Sequence, residues 1–482
     1  MRRIEILSAE IREQIVSEAF SLLESPGIRV GHEEARTLLE EAGARVDREA
    51  GIASLPEALV RRALETVPRE FELYGRDGSP RVQYGGDAVQ FDPGSSGLNI
   101  LDPDTGEHRS ALCSDLLRLV KVAEVLPQFD AQSTALVCSD IPKEVGDLYR
   151  LYLVLLHSDK PIVTGAFGLG TLGTMIEMVE VAGGPPAGTQ PRAVFDVCPS
   201  PPLNWGKFAS GSLIQLARAR VPAEMVSMPL AGATAPVTLA GSVVQHAAEC
   251  LGGITIHQLA QPGAPIVWGG APAIFDMRHG TTPMGAMETA MIDAAYADVG
   301  KSFGLPTHAY LCASDAKAFD AQAGMESVMT ALVGALAGIN MISGAGMLDF
   351  LACQSVEKLV LDAEAIAQVR RLLAGIEARG ESLATELFAE MGHRPEFLKL
   401  KQTRELFRTE QALPSALIDR GSLGAWQSGG CKSLQARAKE RVEALLAQYE
   451  PKPLAPEVEE ELWKLVERAA RSAGVASVPR YT

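Results

Sequence analysis

VSMPLAGATAPVTLAGSVVQHAAECLGGITIHQLAQPGAPIVWGGAPAIFDMRHG (Val226–Gly280), then a helical segment, then GLPTHAYLCASDAK (Gly304–Lys317), sets the grammar of the chain. A short apolar run breaks at Pro229 into a loop of small residues, and a long amphipathic segment follows. A second apolar run, Ala264–Trp268, ends in glycines; a third, Thr307–Ala313, ends in Ser314, Asp315 and Lys317. Strand, loop, helix, strand is the order of a parallel α/β protein, with polar and aromatic groups just past the strand ends. Such folds keep their chemistry there.

Outward from this stretch the pattern repeats. Short apolar runs occur at Val89–Phe91, Thr134–Cys138, Pro161–Gly165, Ala193–Cys198, Ala223–Met228, Ala264–Trp268, Thr307–Cys312 and Ile339–Ser343. Between and after them lie Ser114–Val125, Glu144–His157, Thr171–Val181, Lys207–Ala219, Thr238–Gln261, Met284–Phe303, Ala323–Ala337 and Ser355–Leu373, all with helical periodicity. Roughly eight strand–helix units of roughly 35 residues predict an α/β fold of the (β/α)8 TIM-barrel type. The expected division is a helical N-terminal lead-in over 1–85, the barrel over 86–375 and a helical C-terminal extension over 376–482. In the lead-in, Ser8 suits a helix N-cap, and His32–Ala42 and Pro56–Val67 read as further helices. The lead-in is expected to pack on the barrel without contributing to a site. Asn99–Arg109, with its D-T-G turn, reads as a hairpin. The extension reads as helices over Glu377–Met391, Pro395–Phe407, Leu434–Gln448 and Pro456–Ser472, with Gly421–Ser433 as a loop, suited to cover the barrel mouth or to meet a partner.

Composition excludes several classes. A formal net charge of −16 without a basic patch argues against nucleic-acid binding. No apolar run approaches the roughly 20 residues that span a bilayer, and the N-terminus lacks the apolar core of a signal peptide. Seven scattered cysteines, an odd number, point to reduced thiols and a cytoplasmic enzyme. A homo-oligomer is expected.

Strand alternation assigns the faces of the barrel strands. His308, Tyr310 and Cys312 are expected in the lumen, as are Asp196 and Cys198, with Trp268 ending its strand at the rim. Loop residues Asp92, Phe167, Trp205, Phe275, Arg278, Asp315, Lys317 and Phe350 are placed to reach the mouth. Aromatics are only 5% of the chain, so their gathering near strand ends carries weight. Aromatic faces hold quaternary ammonium groups by cation–π attraction, worth about 2 kcal/mol when desolvated. The candidate substrate-binding set is therefore Trp268, Tyr310, Phe275, Trp205, Phe350, Phe167 and His308, with Arg278 for a substrate carboxylate. Ordinary core packing is the competing use of the same rings. No residue is assigned to catalysis.

Other motifs are weaker. Gly168, Gly170 and Gly173 match the dinucleotide fingerprint with Asp196 downstream, but they fall in the third of many β/α units and start two residues beyond Ala166, so a glycine-rich barrel loop is the better reading. Cys138, Cys198 and Cys312 each end a strand near His308, yet no paired-ligand spacing supports zinc, and no metal is expected. Asp315, Lys317 and Asp320 suit either a proton shuttle or a charged helix start.

At PLAGATAPVTLAGSVVQHAAECLGGITIHQLAQPGAPIVWGG the chain resembles the trimethylamine methyltransferase family. The likeness extends to SLLESPGIRVGHEEARTLLEEAGARVD, LYGRDG, DAKAFDAQAGMES and SVEKLVLDAE, covering about Leu22 to Leu373. The resemblance implies a TIM barrel that passes a methyl group to a corrinoid carried by a cognate partner protein, with no tightly bound cofactor of its own. Trimethylamine enzymes of the family use pyrrolysine, and this chain holds only standard residues. The resemblance therefore implies the non-pyrrolysine branch, which includes glycine betaine methyltransferases. Chemistry agrees: a quaternary amine already carries its charge and leaves as a neutral tertiary amine. The expectation is methyl transfer from a glycine betaine-like quaternary amine. The alternatives are a zinc- or nicotinamide-dependent barrel enzyme and a non-catalytic betaine-binding barrel. The chain departs from the family's common text at CPSPPLNW and MISGAGMLDF, which points to an altered pocket.

Overall fold

The computed structural model describes residues 3–183, 190–379 and 382–481. Eight parallel strands form its centre: β1 (Gln90–Pro93), β2 (Gln132–Ser133), β3 (Ile162–Gly165), β4 (Ala193–Val197), β5 (Ala223–Met225), β6 (Ile266–Gly270), β7 (Thr307–Ala309) and β8 (Met341–Ala345). Each lies beside its sequence neighbour, and β8 pairs in parallel with β1. The ring closes between the first two units, where the Asp130 amide donates to the Phe91 carbonyl at 2.9 Å and Gly97 bridges Leu136 in parallel. This is the expected TIM barrel; the second strand falls at Gln132–Ser133, just ahead of the apolar run Thr134–Cys138 that predicts it, where only the Leu136 bridge remains.

The barrel helices are α1 (Cys113–Val125), α2 (Gly146–His157), α3 (Leu169–Val181), α4 (Lys207–Ala219), α5 (Leu239–Ala260), α6 (Met287–Ser302), α7 (Ala321–Leu336) and α8 (Val356–Leu373). The long α5 is buried from Ser242 to Gln258, because elements of the N-terminal section cover its outer side. That section is not purely helical. Its helices Ala9–Glu24, Glu33–Glu41 and Glu57–Thr66 are joined by short strands Ile28–Val30, Arg45–Asp47 and Ile52–Ser54. Asn204–Trp205, from the loop after β4, adds a parallel strand to this small sheet and ties it to the barrel. Ser8 caps the first helix as expected, accepting from the Ile11 amide at 3.3 Å.

A hairpin of Phe71–Tyr74 and Pro80–Tyr84, turning through the GRDG segment, closes the N-terminal end of the barrel. Its Leu73, Val82 and Tyr84 pack with Ala131, Val163, Val194, Val267 and Met341 in one apolar plug. The expectation that this section stays clear of the site fails here, because Tyr84 reaches up into the lumen. Asn99–Leu101 and His108–Ser110 form the predicted hairpin near the opposite end.

In the C-terminal extension, Leu434–Gln448 packs on α8 and α1, and Pro456–Ser472 packs on α3 and α2. Those two helices thus line the barrel's flank. The helix expected over 377–391 begins only at Thr385, with residues 380 and 381 outside the described part, and Gly421–Ser433 contains a short helix, Leu423–Ser428. No described helix is long and apolar enough to cross a membrane.

Candidate functional site in the barrel lumen

Above the apolar plug the lumen turns polar, following the alternation of the strands. Along β4, Val194 faces the plug and Asp196 lies one step higher; on β8 the same holds for Met341 and Ser343. Asp196 and Glu224 stand side by side in register on β4 and β5. Glu224 Oε2 accepts from the Tyr84 hydroxyl at 2.9 Å, so the hairpin below fixes one of its oxygens. Glu224 Oε1 lies 3.3 Å from His308 Nε2. That same nitrogen is 3.0 Å from Ser343 Oγ, which donates to Asp92 Oδ1. Tyr310 donates its hydroxyl to Asp196 Oδ2 at 2.9 Å, and its ring meets His308 edge-on, with centroids 4.9 Å apart.

This layer is dense in acid and short of donors. Asp92 Oδ2, Asp196 Oδ1 and Glu224 Oε1 are buried and lack a hydrogen-bond partner; His308 Nδ1 is the same. Such atoms are expensive to leave unpaired unless a ligand or proton satisfies them. Burial raises Asp92 and Glu224 well above the carboxylate range, and the Asp196 charge raises Glu224 further. Burial also pushes Asp196 up to about 6, opposed by the Tyr310 and Glu224 hydrogen bonds and the Arg150 charge. His308 is pushed down to about 3 by burial. Burial thus favours the neutral imidazole of His308 and the uncharged forms of Glu224 and Asp92, and Asp196 is the carboxyl held nearest to its ordinary range.

Arg150, on α2, is the positive counterpart. It is buried and donates to Ser96 Oγ (2.8 Å) and to the carbonyls of Thr134 and Gly165 (3.0 Å each), bracing the ends of β2 and β3. Its Nε is buried without a partner. Cys198, one residue past β4, has an accessible surface at the mouth, yet the surrounding walls of the lumen and the Asp196 charge push its thiol up to about 12. It is not a thiolate nucleophile at neutral pH.

The family model described as trimethylamine methyltransferase matches residues 1–474. The chain belongs to the trimethylamine methyltransferase family. It is 31% identical over 464 residues to the trimethylamine methyltransferase of Desulfitobacterium hafniense, covering 96% of this chain and 93% of that protein. It is 28% identical over 473 residues to a glycine betaine methyltransferase from the same species, covering 97% and 98% respectively. Among solved structures, the monomethylamine methyltransferase of Methanosarcina barkeri superposes with a TM-score of 0.54 at 13% identity, over 98% of this chain and 90% of that one. That likeness shows the shared fold. As a family member the chain is a methyl-transfer enzyme, and a non-catalytic barrel is set aside.

Of the residues singled out in this methyltransferase from sequence, the structure brings Tyr310, His308, Asp196 and Asp92 into the lumen. Trp268 lies outside it. Val267 packs in the plug and a Cβ on Gly269 would meet His308, so Trp268 between them points to the helix layer. There its indole donates to the Tyr296 carbonyl at 3.0 Å and packs on Gly300. Trp205 donates to the Glu249 carbonyl at 3.0 Å and packs on Gly253, wedged against α5. Arg278 is 82% exposed and spends its charge on Asp276, so it is not the lumen's carboxylate anchor. Phe275 is half-buried on the loop after β6. Phe350 presents its ring to Lys317 Nζ at 3.5 Å, and Phe167 presents its ring to the Arg150 guanidinium at 4.6 Å, so the protein's own cations use both faces. A broad aromatic cage is absent among the described residues; Tyr310 and the imidazole of His308 are the rings of that set placed in the lumen.

The competing motifs also resolve. Asp315 accepts from the Met284 and Gly285 amides and Asp320 caps α7, the structural use of that cluster. The glycine-rich loop at Gly168 opens α3, but Asp147 already takes the Phe167 amide and the Thr171 hydroxyl there. That carboxylate would repel a pyrophosphate, which disfavours nicotinamide binding. Cys138 packs against Cys113, and the buried Cys312 thiol, expected in the lumen, lies near Lys358 and Asp362 of α8, so no three-thiol zinc site forms in the mouth among the described residues. Sequence reasoning missed Glu224, Arg150 and Tyr84. A lone acid within the apolar run Ala223–Met228 was the available signal for Glu224.

Proposed function

We propose that this enzyme takes a methyl group from a glycine betaine-like quaternary amine and delivers it to a corrinoid held by a separate partner protein. The observation that carries the reading is the lumen itself: two buried carboxyl groups, Asp92 and Glu224, and the half-buried Asp196, each with a buried oxygen that no hydrogen bond occupies, beside Tyr310. A trimethylammonium head offers charge and no hydrogen-bond donor. It pairs with Asp196 and draws Glu224 or Asp92 toward ionisation without competing for the existing hydrogen bonds. Tyr310 adds one aromatic edge or face. Arg150, which donates to the carbonyl of Gly165, the register partner of Asp196, is the group of suitable charge for the carboxylate of a zwitterionic betaine.

The corrinoid, when docked, supplies the cobalt nucleophile that accepts the methyl group. Its fit is supported by the mouth. Leu98, Phe167, Met228, Val237 and Met277, on loops that follow strands, are exposed large apolar side chains suited to the face of a flat macrocycle and its carrier. The chain's residues then act by positioning: the acidic layer holds the ammonium at depth, and Arg150 fixes its other end. The departing tertiary amine is neutral, so Asp196 loses its partner and any ionisation drawn from Glu224 or Asp92 is reversed, favouring release. No proton transfer is required in the methyl-transfer step. Burial favours the uncharged, proton-bearing form of Glu224, which makes trimethylamine, a tertiary amine able to take up a proton, an informative comparison.

The test is calorimetric titration with glycine betaine, carnitine, proline betaine, choline and trimethylamine in buffers of different ionisation enthalpy. Binding of a quaternary amine accompanied by proton release supports the reading, because an added cation lowers the carboxyl pKa values. Binding of none of them, or binding without proton release that Asp196→Asn leaves unchanged, contradicts it.

A further inference from the structure

On the flank of the mouth, two thiols and a carboxylate meet at a place the methyl-transfer site does not use. Cys113 is the first residue of α1, and Cys138 lies in the loop after β2; both are buried. Their sulfurs and one Asp140 carboxylate oxygen all lie within 4.8 Å of one another. Asp140 is oriented: Oδ1 accepts from the Cys113 amide at 3.0 Å, and Oδ2 accepts from the Tyr481 hydroxyl at 2.8 Å. The C-terminal tail closes over the cluster, since the Tyr481 amide lies 3.3 Å from the Tyr149 hydroxyl, which in turn donates to the Pro479 carbonyl. Elements far apart in sequence thus converge on one small volume, and three of the side chains there are metal-ligand types.

We infer that Cys113, Cys138 and Asp140 form a binding site for a thiophilic divalent cation of the zinc class. Two sulfurs and one carboxylate oxygen are a donor set for tetrahedral zinc, with a solvent water or the Tyr481 oxygen in the fourth position. A tetrahedron with bonds of about 2.3 Å has edges of about 3.8 Å, so the donor atoms need close by only about 1 Å. Asp140 is exposed, which gives an ion an entry path, while the sulfurs are sheltered. Binding releases the thiol protons to solvent and leaves two thiolates and a carboxylate on the ion. The site sits apart from Cys198 in the mouth, and its effect is structural: it pins the loop after β2 to α1 and to the tail. That loop begins at Thr134, whose carbonyl accepts from Arg150. This inference does not depend on the identity of the methyl donor.

The experiment uses the full chain carrying Cys198→Ser and Cys431→Ser, which removes the two exposed thiols, kept reduced and titrated with Co(II). The expected result is one equivalent bound, with a sulfur-to-cobalt charge-transfer band and the visible bands of a tetrahedral ion. Zn(II) should bleach both and raise the melting temperature. Cys113→Ser or Cys138→Ser should abolish the charge-transfer band or halve it, and Asp140→Asn should weaken affinity at least about tenfold. The Asp140 variant removes no buried group, so it keeps the test valid where a cysteine variant folds poorly. Absence of the band in the parent chain, or its survival in the Cys113→Ser, Cys138→Ser double variant, overturns the inference.

Discussion

Asp196 is where charge, burial and function meet. Its folded value of about 6 stands above its ordinary 3.8, so the folded state holds that proton more tightly than the unfolded chain. Ionising it inside the barrel therefore costs stability, a cost that accrues as pH rises from the ordinary carboxylate range through about 6 and then persists. Asp196→Asn removes the cost and is expected to stabilise the protein near neutral pH by about 2 kcal/mol, with the gain vanishing toward acid pH. Denaturant unfolding at several pH values checks this. The same variant should bind a quaternary amine more weakly, and should lose the fall in affinity that the parent shows as pH drops through about 6. Trp268 makes the opposite case. Truncation to Ala opens a cavity against α6 and should cost about 3–5 kcal/mol, while leaving the amine affinity of the folded protein unchanged. A large loss of affinity without a loss of stability would return Trp268 to the site.

At the scale of elements, the barrel was legible because period and punctuation agree along the chain. The helices over Lys207–Ala219, Leu434–Gln448 and Pro456–Ser472 end where their periodicity ends. The strands were visible as short apolar runs, but their inward and outward faces were not always so. β7 alternates cleanly, and His308 and Tyr310 fall where alternation puts them. β6 does not: Gly269 contributes no side chain inside, so Trp268 was the conspicuous residue of a strand whose inner face is empty above Val267. Arg150 and Tyr84 were hidden for a different reason. They come from a helix and from a hairpin below the barrel, and reach the lumen through tertiary packing that no local pattern records. The packing of α5 offers a test at this scale. A Cβ on Gly253 would lie 2.3 Å from the Trp205 ring, so Gly253→Ala should cost about 1–3 kcal/mol by thermal unfolding, with amine binding retained.

At the scale of the whole molecule, the N-terminal hairpin plugs one end of the barrel and the C-terminal helices line its flank. The mouth then carries the exposed apolar rim. The chain's formal charge of −16 would repel an acidic carrier protein, and for such a partner the proposed docking rests on that local rim. Family membership and fold agree with methyl transfer, and the proposed donor, a small organic cation, rests on the acidic lumen. The most direct measurement is to mix the full chain with a free corrinoid reduced to Co(I) and a quaternary amine, and to follow the cobalt absorbance. The account predicts conversion of the Co(I) spectrum to that of methyl-Co(III) with at least one betaine, and a marked loss of that conversion in Asp196→Asn. A Co(I) spectrum that persists with every quaternary amine, under conditions where calorimetry shows the amine bound, would contradict it.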